Sequence, residues 1–400
     1  MEHNKAFRYL IFSLLYFAQG AILSYFTALN SLYLLSFDLN MTQIGLMGTI
    51  AIIPFIIKIF IGILSDKVNL FGKGHRKPYI IIGLTIQAIS LLIVSTINPG
   101  MHFWLYAITA FILMTGMALY DTCTDGLALD TTRPNEEGTI QGFMVGGRAL
   151  GIVIISALIG LIVEHSEWNI AFYVLAFLSM IPLPFIVFIK EPDRPKEHQF
   201  NWKAFNKFSN RSIIALGILG ALYSLIINAA NQIVNPFLQQ QFQISISTAG
   251  FITTVWGIGV VVGGLTGGNL TDRIGHKNAI IWAVGISMIS IATLSLINIQ
   301  QLIWGMVFIF GIAFGYYETV YFAISMNYSD PRIAASMFSI LMAIANIGTG
   351  IGFSLSGQLV DLLSYRPTFI IIALLNFLAL PLLPIIFNNQ SQNQDHSKLK

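Results

Sequence analysis

Hydrophobic positions along this chain fall into long runs, broken by short stretches of charge, proline and asparagine. An α-helix needs about 20 apolar residues, at 1.5 Å each, to cross about 30 Å of hydrocarbon, and the runs reach that length. They lack the strict apolar and polar alternation of a membrane barrel strand. The pattern predicts an all-α membrane protein with twelve spans. The first six cover Arg8–Leu35, Thr42–Ser65, Pro78–Ile97, His102–Leu129, Thr139–Glu164 and Trp168–Ile189. The second six cover Ser212–Gln240, Ser245–Thr271, Asn278–Ile297, Gln301–Tyr328, Ile333–Leu363 and Arg366–Phe387. The most hydrophilic stretch, Lys190 to Arg211, separates the two sets. The predicted organisation is an N-terminal six-helix half over 1–189, a linker over 190–211, a C-terminal six-helix half over 212–387 and a tail over 388–400.

Composition agrees, with 55% hydrophobic and only 10% charged residues, where soluble domains carry about 25% charge. A single cysteine, Cys123, excludes disulfide frameworks, iron–sulfur clusters and cysteine-based zinc sites. The net charge of +3 is spread over short loops, which gives a nucleic-acid partner no support. The first apolar run is too long for a signal peptide and has no small-x-small cleavage site, so it is expected to remain as the first span. Of the 21 Lys and Arg residues, Lys58 and Arg148 fall inside spans and Arg366 falls on one side; all the others fall on the opposite side with both termini. Cytoplasmic loops carry the excess of Lys and Arg. The expectation is a multi-pass protein of the cytoplasmic membrane with both termini, the linker and the tail in the cytoplasm.

The halves repeat. After the second span the chain reads Gly62-Ile63-Leu64-Ser65-Asp66, closing with His75-Arg76-Lys77; after the eighth it reads Gly268-Asn269-Leu270-Thr271-Asp272-Arg273-Ile274-Gly275-His276-Lys277. The fourth and tenth spans carry Tyr120-Asp121-Thr122 and Tyr317-Glu318-Thr319, followed by Pro134 and Pro331, both pairs offset by 197 residues. These two loop copies at matched positions resemble the signature of the major facilitator superfamily, with an insertion, 68–74, in the first copy. The resemblance implies a fold of two pseudo-symmetric six-helix halves. It also implies a cytoplasmic gate of Gly62, Asp66 and Arg76 in one half and Gly268, Asp272 and Arg273 in the other, with Asp66 pairing Arg76 and Asp272 pairing Arg273. The run Pro54-x-x-x-Lys58-x-x-x-Gly62, with Phe71-Gly72 and Arg76-Lys77-Pro78-Tyr79, is similar to folate/biopterin transporters, muropeptide permeases and acetyl-coenzyme A transporters. Its Arg-x-Pro-Tyr ending is similar to disaccharide symporters.

Five ionisable residues sit well inside spans: Lys58, Asp121, Asp125, Arg148 and Glu318. Each costs a few kcal/mol if unpaired in the bilayer, so each must face a cavity or a partner. Lys58, Asp121 and Arg148 lie at similar depth, about 12–15 Å from the span ends, and Asp125 follows Asp121 on the same helix face. In the family's arrangement the second, fourth and fifth helices are neighbours, so two cations meet two carboxylates. Either the four neutralise one another or they handle substrate or protons. Within the C-terminal spans the sequence offers Glu318 no Lys or Arg. A carboxyl held away from water without a cation is suited to take up and release a proton. Glu318 therefore ranks first as the proton-coupling residue, ahead of Asp121 and Asp125.

The seventh span carries Asn228, Asn231, Gln232 and Asn235 as one polar stripe at helical spacing. With Lys58, Arg148, Gln19, Tyr120, Tyr317 and Asn346, these are expected to line a substrate cavity, interhelical hydrogen bonds being the alternative. In the fifth span Gly146-Gly147 is followed by Arg148, whereas the family's antiporters have a Gly-Pro pair, which favours symport. The expected function is secondary active transport of a small organic anion by alternating access, coupled to protons, with no metal and no organic cofactor. Sodium coupling through Asp121, Asp125, Thr122 and Thr124 is the alternative ion. Alternative functions are a sodium-coupled sugar symporter, a lipid flippase and a drug antiporter. An intramembrane enzyme finds no His-Glu-x-x-His, Gly-x-Ser-x-Gly or phosphate-binding loop in the chain. The expected partners are a small-molecule solute and membrane lipids, and the unit of function is a monomer.

Overall fold

The computed structural model describes residues 5–72, 74–131, 137–188, 191, 210–328 and 334–387, among which there is no β-strand. Among the described residues, twelve helices are long and apolar enough to cross a membrane. They are built on α1 (Lys5–Ser24), α2 (Met41–Lys67), α3 (Lys77–Val94), α4 (Phe103–Thr131), α5 (Glu137–His165) and α6 (Trp168–Met180), then α7 (Arg211–Phe242), α8 (Ile246–Ile274), α9 (His276–Leu294), α10 (Gln301–Tyr328), α11 (Ala334–Leu363) and α12 (Tyr365–Leu374). The linker except Glu191, Asn210 and Arg211, the turns with Pro134 and Pro331, and the tail lie outside the described residues, as do the side chains of Asp66 and Asp272.

Three predicted spans are interrupted. α1 passes through a π-helical turn, Tyr25–Leu29, into a short helix, Asn30–Leu35. At that turn the Tyr25 and Tyr106 hydroxyls both donate to Asn30 Oδ1, at 3.1 and 3.3 Å. α6 stops at Met180 and resumes as Leu183–Ile186, because Pro182 and Pro184 lack the N–H that continues a helix. α12 passes into a 3-10 segment, Leu375–Ala379, just before Pro381. The apolar runs continue through both breaks, so hydropathy alone reads them as single spans. Arg366 donates to the Ser295 and Ile297 carbonyls, at 2.9 and 2.8 Å. Those carbonyls follow the C-terminus of α9, where a cation is favoured.

The chain forms two compact units. Unit 1 is Met1–Asn40, Ile50–Phe200 and Asn235–Thr254; unit 2 is Met41–Thr49, Asn201–Val234 and Val255–Lys400. The helices α2, α7 and α8 thus each change unit along their length. Within unit 1, α1 packs backbone to backbone on α5: a side chain at Gly147 would overlap the Ser13 carbonyl and one at Gly151 the Phe17 carbonyl. Unit 2 repeats the device, with Gly348 of α11 against the Ala221 carbonyl of α7 and Gly352 against that of Leu225. Small residues allow such approach where burial of apolar surface offers no drive between helices in lipid.

Candidate functional site

The charged residues predicted for the N-terminal half come together inside unit 1. Asp121 of α4 is 5% exposed. Its two oxygens are engaged from different helices: Gln19 Nε2 of α1 donates to Oδ1 at 2.6 Å, and Lys58 Nζ of α2 lies 3.4 Å from Oδ2. One turn on, the Tyr16 hydroxyl donates to Asp125 Oδ1. Arg148 of α5 and Lys58 both attract the Asp125 carboxylate, and Asp121 repels it. Lys58 is thus paired with Asp121, and both cations act electrostatically on Asp125. Tyr16 is the member that sequence reasoning did not rank as a site residue. Its one available signal is that it precedes Gln19 by three residues and so shares a helix face with it.

Tyr120 sits elsewhere. It is fully buried in the α3 and α4 packing, where a side chain at Gly83 would overlap its backbone. In unit 2, Glu318 is half-buried and Tyr317 fully buried. The rings of Tyr317 and Tyr321 lie 5.4 and 4.5 Å from that of Tyr223 on α7, and Glu318 acts electrostatically on Tyr223. The Tyr321 hydroxyl occupies the space a side chain at Gly220 would need. Glu318 therefore sits beside an aromatic cluster.

The polar stripe of α7 is largely engaged. Gln232 donates to the Phe353 carbonyl at 3.0 Å and to Ser356 at 3.3 Å, and Asn228 donates to Ser224 and Thr349. Asn235 donates to Thr253 at 3.0 Å. Interhelical hydrogen bonding, the alternative role, accounts for these three amides, and Gln232 and Asn235 are buried. Asn231 and Asn346 are half-buried.

At the signature loop of unit 1, Arg76 is buried. Its Nε lies 3.2 Å from Asp130 at the end of α4, and its Nη1 donates to Ser65 Oγ. Gly126 lies against the guanidinium. Glu191 accepts from the backbone N–H groups of His75, Arg76 and Lys77, at 2.5, 2.9 and 3.2 Å, capping the start of α3. A carboxylate there satisfies orphan donors and complements the helix dipole. Asp130 and Glu191 are additions to the expected gate. A side chain at Gly62 would meet Thr122 at 3.6 Å and one at Gly268 would meet Thr319 at 3.7 Å, so the two loop copies stand against matching residues. Arg273 is exposed.

The family model described as Major Facilitator Superfamily matches residues 10–234 and 216–399, and the chain belongs to that family. It is a multi-pass membrane protein of the major facilitator type. The sialic acid transporter NanX of Escherichia coli is 23% identical over 283 residues, covering 68% of this chain and 66% of that protein. The probable folate-biopterin transporter 7 of Arabidopsis thaliana is 25% identical over 158 residues, covering 38% of this chain and 35% of that protein. The chain thus spans less than two thirds of either relative's length. Among solved structures, a D-xylose-proton symporter superimposes with a TM-score of 0.76 at 15% identity, covering 95% of this chain and 96% of that one. This last likeness is one of fold.

Proposed function

We propose that the protein is a proton-coupled symporter that carries a small organic anion across the cytoplasmic membrane, its two six-helix halves giving alternating access. The observation that carries the reading is the arrangement along α4: Asp121 is held by Lys58 and Gln19, whereas Asp125 is held by the neutral hydroxyl of Tyr16. Taking away one partner of a buried ion pair leaves the other charge uncompensated, which is strongly unfavourable. An arriving anion supplies Lys58 with a second partner, and a proton on Asp125 offsets the added negative charge. Solute and proton then travel together without net burial of charge. Both Asp121 oxygens already have partners, which favours a proton over sodium. Asp125 takes precedence over Glu318 in this reading because its hydrogen-bond partner is a neutral hydroxyl and it lies one turn from the Lys58–Asp121 pair, where an arriving anion is felt.

The named cargoes of the two curated relatives include sialic acid and folate, both organic acids, and the excess of Lys and Arg on the terminal side supports cytoplasmic termini. The test is transport by protein reconstituted in liposomes with a pH dye trapped inside. The panel is sialic acid, pterins, muropeptide fragments, acyl-coenzyme A and dicarboxylates, with disaccharides as neutral controls. An anion in the panel should be taken up with acidification of the lumen, unaffected when choline replaces sodium. Uptake without acidification, or uptake that requires sodium, would overturn the coupling; uptake of disaccharides alone would overturn the substrate class.

A further inference from the structure

Each unit ends one helix with the same turn. After α3 the chain reads Ser95-Thr96-Ile97-Asn98, and after α9 it reads Ser295-Leu296-Ile297-Asn298, an offset of 200 residues. The backbone closes in the same way: the Thr96 and Ile97 N–H groups donate to the Ile93 and Val94 carbonyls, and those of Leu296 and Ile297 donate to Thr293 and Leu294. Ser95 Oγ donates to the Leu92 carbonyl at 2.7 Å, and Ser295 Oγ donates to that of Ala292 at 2.6 Å. In unit 1 α3 packs on α6, and in unit 2 α9 packs on α12. The partner helices start in step too, Glu167-Trp168-Asn169 against Ser364-Tyr365-Arg366, an offset of 197 residues.

What meets the turn differs. In unit 2 the Arg366 guanidinium donates to the Ser295 and Ile297 carbonyls. In unit 1 the residue at its place is Asn169, and the matching Ser95 and Ile97 carbonyls accept no hydrogen bond from the described residues. Ser95, Ile97 and Asn169 instead line a cavity of about 510 Å³, together with Tyr33, Glu167 and Trp168. It lies wholly within unit 1, and none of its lining residues is basic. Small-molecule sites span about 300–1,000 Å³. The lining favours a cation three times over. Carbonyls at a helix C-terminus carry partial negative charge. Glu167 stands where unit 2 has Ser364 and adds a full negative charge, and its side chain does not cap α6. The rings of Tyr33 and Trp168 lie 5.1 Å apart, and aromatic faces attract cations.

We infer that this cavity binds an organic cation, whose guanidinium or primary ammonium group sits on the Ser95 and Ile97 carbonyls as Arg366 sits on theirs in unit 2. Glu167 balances the charge, and the rings of Tyr33 and Trp168 hold the apolar part of the ligand. A soluble cation and an aminophospholipid headgroup share this chemistry. The site uses none of Tyr16, Lys58, Asp121 and Asp125, so it stands or falls independently of the transport reading. The test is binding of phenethylguanidine to the full chain in phosphatidylcholine nanodiscs, followed by titration calorimetry and thermal unfolding, with phenethylurea as the neutral counterpart. The guanidine should bind once per chain and raise the unfolding temperature. The urea should bind about tenfold more weakly, the scale that separates charge-assisted from neutral hydrogen bonds. Asn169→Arg should abolish binding and by itself raise the unfolding temperature, because the chain then supplies the group that the site takes. Glu167→Gln, at an exposed position, should leave the fold intact and weaken binding about threefold, as for an exposed charge pair. In phosphatidylethanolamine nanodiscs, a lower apparent affinity would assign the seat to the lipid headgroup, and an unchanged one would assign it to a soluble cation. Equal binding of the urea would overturn the inference, as would undiminished binding by the two variants or no binding of the guanidine in phosphatidylcholine.

Discussion

Around their matched acidic residues the two units are built with different chemistry. In unit 1 Asp121 is met by Gln19, Lys58 and, one turn away, Asp125 with Tyr16. The glycine contacts of α1 on α5 and α7 on α11 place Phe17 opposite Gly151 and Ala221 opposite Gly348. The same shifts align Gln19 with Tyr223, Tyr16 with Gly220, Asp125 with Phe322 and Arg148 with Ala345. Unit 2 thus keeps the acid, Glu318, and replaces its polar company with tyrosine rings. A duplicated frame has been used once as an electrostatic site and once as an aromatic wall, which shows that the repeat preserves backbone contacts more strictly than side-chain chemistry.

Removing a charge from unit 1 should do the most damage. Asp121→Asn leaves Lys58 without its partner, a loss of about 3–5 kcal/mol for a buried pair. The expected outcome is a fall in thermal stability and loss of uptake, with stability recovered in the Lys58→Gln, Asp121→Asn double variant. A double variant less stable than either single one would show that the pair is not coupled. Next comes the contrast between the two candidate proton carriers. Asp125→Asn should abolish uphill accumulation driven by a pH gradient while leaving counterflow exchange, and Glu318→Gln should retain both. The reverse result would move the coupling site to unit 2 and invert the comparison.

In unit 2 the sensitive positions should be steric. Gly220→Ala pushes a methyl group into the Tyr321 hydroxyl, and overpacking of this kind costs about 1–3 kcal/mol. Thermal unfolding should show the loss, and adding Tyr321→Phe should recover part of it; no loss would mean that the ring moves freely. The smallest effect is expected at Gly62, where an added methyl meets Thr122 at an ordinary 3.6 Å. Gly62→Ala should change stability by less than about 0.5 kcal/mol, and a large drop would show that the loop glycine serves conformations beyond this one.

Much of this was open to a reader of the sequence. The twelve spans follow from what the bilayer demands, because every helix that crosses it must be apolar for its whole length. Lys58 and Asp121 were recognisable because charges inside spans need partners. The partner of Arg76 was harder: the motif points to Asp66, and the structure adds Asp130, which the sequence presents as an unremarkable helix end. Glu191 was hidden in a charged linker, where nothing marks one carboxylate among its neighbours as a helix cap. The spacing of Asn228, Asn231, Gln232 and Asn235 gave their shared face but not what that face touches, since a cavity and a neighbouring helix both accept amides. Tyr16 was legible as sharing a face of the first span with Gln19, but not as the partner of Asp125.

The proline breaks in the sixth and twelfth helices bear on the lipid around the protein. The regular part of α6 has 13 residues and that of α12 has 10, about 20 and 15 Å of helix against a hydrocarbon layer of about 30 Å. The rest of each crossing is made beyond the break by a further short helix, Leu183–Ile186 or residues 382–387, and Val187, Phe188, Phe377 and Leu378 are exposed. A bilayer accommodates a short rigid segment by thinning beside it. A crossing jointed in this way meets such a layer with two short segments in place of one rod, and α6 and α12 give each unit one such place.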